Sequence, residues 1–272
     1  MKTATLAAIL IITCATVSAQ WPSRPTPGVP KKADGSPDLN APTPRTADGK
    51  PDLSGLWELE KNRPCPPEGC NDMEISQEFV NLGWNMKDGL PFQPWAAALV
   101  KQRRADFGKD DPGSLCQPTG VVKLVINPFF RKFIQLPGLL IVLNERDVNY
   151  RQIFTDGRSL PSGAFPTPYG YSAGKWDGDT LVVETIGFPE GQWLDRAGSP
   201  LTESGKITER YRRVNYGTME IEITVDDPKV YTRPWTAKVK QFIRLNSELI
   251  DYFCMQNEKD IPHLVGNSKA GK

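Results

Sequence analysis

Histidine is almost missing from this chain: His263 is the only one among 272 residues. A histidine pair or a three-histidine metal site is therefore excluded within one protomer. A surplus of either charge is missing too. With 33 basic and 32 acidic side chains the formal charge is +1, so there is no chain-wide basic field to attract nucleic acid. No apolar run is long enough to span a bilayer as a helix. Walker loops, G-x-G-x-x-G and H-E-x-x-H are also absent, which leaves nucleotide-binding and zinc-protease chemistries without support. What the chain does have is 25 prolines and 23 glycines. That supply suits many turns between short elements better than long helices.

The first residues carry Lys2, an apolar run from Leu6 to Ile12, and a small-x-small ending at Val17-Ser18-Ala19. This is the pattern of a secretory signal peptide cut after Ala19. A membrane anchor, or lipoprotein cleavage before Cys14, is the rival reading. Removal of residues 1–19 leaves four cysteines, Cys65, Cys70, Cys116 and Cys254. An even number in an exported chain permits two disulfides with three pairings. Cys65 and Cys70 flank a short loop and can close a small ring; Cys116 and Cys254 then join distant parts of the chain. Zinc is the competing use, but the paired C-x-x-C spacing is lacking.

Residues 20–51 contain eight prolines and read as a disordered, Pro-rich linker. The segment repeats itself: Ala33-Asp34-Gly35-Ser36-Pro37-Asp38-Leu39 returns as Ala47-Asp48-Gly49-Lys50-Pro51-Asp52-Leu53. Residues 52–266 are expected to fold as one domain, followed by a disordered tail over 267–272. One helix is expected to start at Pro94, with Trp95, Ala98, Leu99 and Gln102 at helical spacing. The basic run from Lys101 to Arg104 falls on its solvated face.

Beyond Gly120 strand follows strand. Pro137-Gly138 joins 131–136 to 139–145, and Asp177-Gly178 joins 170–176 to 179–187. Asn215-Tyr216-Gly217 joins 207–214 to 218–226, and Asn246-Ser247 joins 236–245 to 248–254. With 53–60, 121–127 and 149–155 this makes about ten antiparallel strands and an all-β barrel or sandwich.

If Val214 faces Thr218, Arg212 meets Glu220 and Arg210 meets Glu222 on one face. Tyr211 then meets Ile221, and Glu209 meets Ile223, on the other. A one-residue slip breaks both patterns. Met219, Ile221, Ile223 and Val225 therefore point inward, with Glu209, Tyr211 and Arg213 beside them. Pairing Leu245 with Glu248 puts Val239, Gln241 and Ile243 on a face with Ile250, Tyr252 and Cys254. Glu184 shares a face with Val182 and Ile186, either inner or outer.

Two inward carboxylates, Glu184 and Glu209, could divide acid and base roles; alternatively each is paired with an interior Arg or Tyr and fixes the barrel. His263 follows Glu258 and Asp260 in a coil, where it is either a surface residue or, if the loop folds over a barrel mouth, a proton-transfer group. Ser172-Ala173-Gly174-Lys175 matches S-x-x-K but lies on a strand, where that motif does not belong. Trp57, Trp176, Trp193, Tyr231 and Trp235 sit near strand ends, as plugs or as stacking surfaces.

Gly55-x-Trp57 on the first strand resembles the opening motif of lipocalin and calycin barrels. More widely, the chain resembles a large group of exported bacterial proteins to which no activity attaches. The resembling words are residues 51–57 (PDLSGLW), Asp156-Gly157-Arg158, Gly170-Tyr171-Ser172, 176–185 (WDGDTLVVET), 208–213 (TERYRR), Asp226-Asp227-Pro228 with Tyr231-Thr232 and Pro234-Trp235, and 257–260 (NEKD) to His263-Leu264-Val265-Gly266. Similar proteins often read Gly-His-Pro-His where this chain has Gly198-Ser199-Pro200-Leu201, so a role of those histidines would be missing here.

These readings predict an exported, calycin-like barrel that binds a small, partly apolar molecule in its interior. Tyr211, Arg213, Gln241, Tyr252, Trp176, Trp235 and His263 are the candidate ligand contacts. The alternatives are a hydrolase or isomerase using Glu184 and Glu209 on a carbohydrate or aromatic compound, and an envelope module that binds another protein. No cofactor, metal or nucleic-acid partner is called for, and the oligomeric state stays open.

Overall fold

The alternating segments fold as a closed barrel in a computed structural model, which describes residues 24–61, 81–83, 86–146 and 148–254. Its strands are β1 (Gly55–Leu59), β2 (Arg131–Leu136), β3 (Leu139–Asn144), β4 (Asn149–Phe154), β5 (Tyr171–Asp177), β6 (Thr180–Ile186), β9 (Lys206–Arg213), β10 (Thr218–Asp226) and β11 (Trp235–Ile243). They close in the order β1-β11-β10-β9-β6-β5-β4-β3-β2. The short strands β7 (Gln192–Trp193) and β8 (Pro200–Leu201) pair separately. Two helices, α1 (Pro94–Ala105) and α2 (Val121–Ile126), complete the elements.

The count and direction of strands correct the expectation of about ten, all antiparallel. A closed ring in which every neighbour runs antiparallel needs an even number of strands. Nine strands leave one pair that must run parallel, and it is β4–β5, with Ile153 beside Ser172. Parallel neighbours cannot be joined by a tight turn, and here the chain from Thr155 to Gly170 makes the crossover.

The β9–β10 register is the one the charge pattern requires: Arg212 faces Glu220, Tyr211 faces Ile221 and Glu209 faces Ile223. Met219, Ile221, Ile223 and Val225 are fully buried. Pro137-Gly138 and Asp177-Gly178 both turn with glycine in the left-handed region, at φ 73° and 57°.

Three expectations fail. Residues 121–126 form a helix, not a strand, and all six are buried. Residues 248–254 do not pair with β11, because β1 already occupies that edge, with Trp57 opposite Ile243. Ile250 and Tyr252 consequently lie outside the barrel, 36% and 39% exposed. In α1 the buried residues are Ala96 and Val100, while Trp95 is 48% exposed; Trp95 Nε1 instead donates to the Lys229 carbonyl at 2.9 Å.

The leader also departs from an extended linker, from Arg24 onward. Its two sequence copies make the same turn, fourteen residues apart. Lys31 bridges Pro37 and Arg45 bridges Pro51. The Asp38 amide donates to the Pro30 carbonyl, and the Asp52 amide to the Pro44 carbonyl, both at 2.8 Å. The first copy rests on the β9–β10 turn, where the Tyr216 and Gly217 amides donate to the carbonyls of Ala41 and Leu39. The second copy crosses the barrel end that carries the 137–138 and 177–178 turns, and its Leu53 is fully buried.

Candidate functional site: the barrel interior and its mouth

The middle of the barrel is not a cavity but a closed polar layer inside the aliphatic wall. Arg151 enters from β4 and donates to both oxygens of Glu209, at 3.2 and 2.5 Å. The Tyr211 hydroxyl donates to the same carboxylate at 2.6 Å. Arg151 also reaches Ser172 Oγ at 3.1 Å and Thr185 Oγ1 at 2.8 Å, and those two hydroxyls lie 3.0 Å apart. All five residues are at most 5% exposed. Burial, reinforced by the Glu209 carboxylate, holds the Tyr211 phenol well above its ordinary range. Burial opposes the charge on Arg151, but Glu209 outweighs it and the guanidinium ends above its usual value. Three hydrogen bonds to Glu209 are thus made within the layer.

Glu184 is not part of this layer. Leu181, Val183 and Thr185 take the inner positions of β6, which puts Glu184 on the outside. Its side chain is 45% exposed and pairs with Lys206 at 2.8 Å. The two candidate catalytic carboxylates therefore stand on opposite faces of the wall and cannot act on one substrate. The five residues Gly170–Gly174 spell G-x-S-x-G. Ser172, however, lies within strand β5, buried against Arg151 and Thr185, and not at the strand-to-helix turn that exposes a nucleophile.

One end of the barrel is plugged. α2 is wholly buried there, and Pro128 stops it, since Asn127 before it is extended at φ −84° and ψ 151°. From inside the barrel, Arg131 donates to the carbonyls of Val125, Asn127 and Phe129 at 2.8–3.0 Å. Gln241 adds a bond to the Val125 carbonyl at 3.2 Å. These side chains satisfy the open carbonyls of a helix C-terminus and place a cation there. Trp235 and Tyr231 pack edge to face at this end, 5.3 Å apart, so Gln241 and Trp235 serve the plug.

The other end is covered without being filled. A cleft of about 570 Å³ lies between the second leader turn and the rim of the barrel. Its floor is the inward pair Leu140 and Leu181, each 1% exposed. Trp176, Gln135 and Thr155 form walls, and Thr46 to Lys50 pass over it. Gln135 holds the leader in place: its oxygen accepts from the Leu53 amide at 2.8 Å and its nitrogen donates to the Pro51 carbonyl at 3.1 Å. Arg213 donates to the carbonyls of Asp52, Ser54 and Tyr216 and stacks over Trp57 at 4.9 Å. Burial pulls its guanidinium down to about 10. On the outer side, Arg45 holds Asp179 through two bonds, at 2.9 and 2.6 Å.

Of the predicted ligand contacts, then, Trp176 lines this cleft and Arg213 anchors its cover. Tyr211 belongs to the polar layer. Tyr252 lines a separate hollow near the plugged end, where Cys116 and Cys254 form the one disulfide found among the described residues. His263, Cys65 and Cys70 lie outside the described residues. Ser199 and Leu201 are both buried. The Ser199 hydroxyl donates to Asp195 at 3.0 Å. No protein-family model, no curated protein and no solved structure matches the chain.

Proposed function

We propose that this chain is an exported, calycin-like binding protein that takes a small, partly apolar molecule at the leader-covered mouth of its barrel. The observation that carries the reading is the 570 Å³ cleft with an aliphatic floor, an indole wall and a polar cover. Its volume falls in the ordinary range for small-molecule sites, and such sites combine an apolar lining with a few polar groups. The filled middle of the barrel moves the expected ligand from the interior to the mouth. Paired Glu209 and outward Glu184 remove the support for carboxylate catalysis.

Titration with the amphipathic dye 8-anilinonaphthalene-1-sulfonate tests the site. The protein should bind it saturably, with energy transfer from tryptophan. Trp176→Leu removes the stacking wall and should weaken binding about tenfold at unchanged melting temperature. Equal affinity in Trp176→Leu, or no saturable binding by the native protein, would rule the mouth out.

A further inference from the structure

The leader repeat carries its own internal control. Its two copies, 30–39 and 44–53, fold alike. The Lys32 and Thr46 amides donate to the carbonyls of Ser36 and Lys50, both at 2.9 Å, and Gly35 and Gly49 sit at φ 81° and 80°. The copies differ in sequence at three positions: Lys31 against Arg45, Lys32 against Thr46, and Ser36 against Lys50. Two of the second copy's residues have bonds that account for them. Arg45 grips Asp179, and the Thr46 hydroxyl donates to Asp48 at 2.5 Å. Lys50 has none: its ammonium makes no hydrogen bond and no ion pair among the described residues. Nor does the turn need it. Serine serves at that place in the first copy, where the Ser36 hydroxyl donates to Asp34 at 2.6 Å.

What sets the copies apart is where they lie. The first lines no part of the cleft at the mouth. The second covers that cleft, and Lys50 lines it, half-buried. Asp48 lines it as well, but is exposed and already holds the Thr46 hydroxyl. Asp179 is taken by Arg45 at both oxygens. Lys50 acts on these two carboxylates by charge alone. A half-buried ammonium without a bonded partner has given up hydration and regained little for it, and a bound anion would supply the missing acceptor.

We infer, on the reading that the mouth is the binding site, that its ligand is a small flat monoanion: an aromatic body against Trp176 and the floor of Leu140 and Leu181, and an acid group held by the Lys50 ammonium. An ammonium offers three donors, and hydrogen bonds between ionised partners are the strong ones. The indole favours a flat body. Asp48 and Asp179, whose carboxyls feel the Lys50 charge, disfavour a second negative charge on the ligand. Lys50 is then the residue that sets specificity, at the one place where the second turn departs from the first without a bond to explain it.

2-Naphthoate is the probe, with 2-naphthalenemethanol as its neutral counterpart and 2-naphthylmethylamine as its cationic one, each titrated by calorimetry into the full chain. Naphthoate should bind at one site, the alcohol about tenfold more weakly, and the amine more weakly still. Lys50→Ser copies the first turn, so the melting temperature should hold. The ratio of acid to alcohol affinity should fall from about ten to about one, and Lys50→Arg should keep most of it. Equal binding of acid and alcohol by the native chain, or an unchanged ratio in Lys50→Ser, would overturn the role of Lys50. The mouth itself would still stand if Trp176→Leu weakens both ligands. An equal fall for acid and alcohol in Lys50→Ser would make Lys50 a packing residue, and tighter binding of the amine would give the polar contact to Asp48; either result overturns the inference. Binding of none of the three, or binding indifferent to Trp176→Leu, would remove the mouth and the inference with it.

Discussion

The two ends of this barrel use the same device and reach opposite results. At each end a buried arginine donates to backbone carbonyls, with no carboxylate within ion-pair distance among the described residues: Arg131 at the plugged end and Arg213 at the mouth. Burial pulls both guanidiniums down to about 10. What differs is the segment each one holds. Arg131 holds α2, six residues that are all buried, so the end is filled with side chains. Arg213 holds a Pro-, Gly- and Asp-rich leader whose stability is in its turns, not in its packing. Such a segment spans an opening but does not fill it, and the cleft is the space left over. Composition of the covering segment, more than the barrel itself, decides which end can take a ligand.

If that contrast is right, the plugged end should matter most to global stability. The Cys116–Cys254 bond closes a separation of 138 residues, and chain-entropy reasoning assigns such a closure about 5 kcal/mol. The double replacement Cys116→Ser, Cys254→Ser should lower the unfolding free energy obtained from urea titration by that amount, with a matching fall in the midpoint. A loss below about 1 kcal/mol would mean that the end is held by α2 alone. Arg131→Met comes next. It leaves the carbonyls of Val125, Asn127 and Phe129 without their charged donor and should cost about 3 kcal/mol in the same measurement. An unchanged midpoint would show that the guanidinium is not what seats the plug.

How much of this was legible in the sequence depended on how many independent patterns fixed a register. The β9–β10 hairpin carried two, facing charges outside and aliphatic residues inside, and its pairing came out residue by residue. Strand β6 carried none, since Leu181 and Val183 on one face and Val182 and Ile186 on the other are equally apolar. Its sidedness is set by its neighbours: Thr185 is needed inward to bond Arg151. The α2 run of valine, leucine and isoleucine has strand propensity, but a short buried run has no periodicity to separate helix from strand. Tertiary burial decided it. The leader repeat was visible, yet its meaning was not, because a turn-rich segment looks like a linker until the surface it crosses is known.

At the mouth the expected effects are smaller and local. Arg213→Met removes the donor that ties Asp52 and Ser54 to the β9–β10 turn. The cost should be about 2 kcal/mol, expressed as faster amide exchange at Leu53, Ser54 and Gly217 while the β9, β10 and β11 amides keep their protection. Loss of protection throughout the barrel would mean that the leader is part of the cooperative core and not a cover.

Acid should loosen the cover more gently still. Arg45, by hydrogen bonding and by charge, holds the Asp179 carboxyl below its ordinary value, and Lys50 adds to this. The Thr46 hydroxyl does the same for Asp48. A carboxyl depressed in the folded protein contributes stability that is fully present above its unfolded value of about 3.9 and is lost as pH falls through the folded value. The second leader turn should therefore hold at pH 5 and above and loosen below about pH 4. Amide exchange at Thr46 and Gly49, whose bonds close that turn, should quicken severalfold across this window. In Asp179→Asn the same amides should already exchange faster at pH 6, and their acid response should shrink. A full acid response in that variant would assign the loosening to Asp48 or to the barrel, and the Arg45–Asp179 pair would then be only a surface contact.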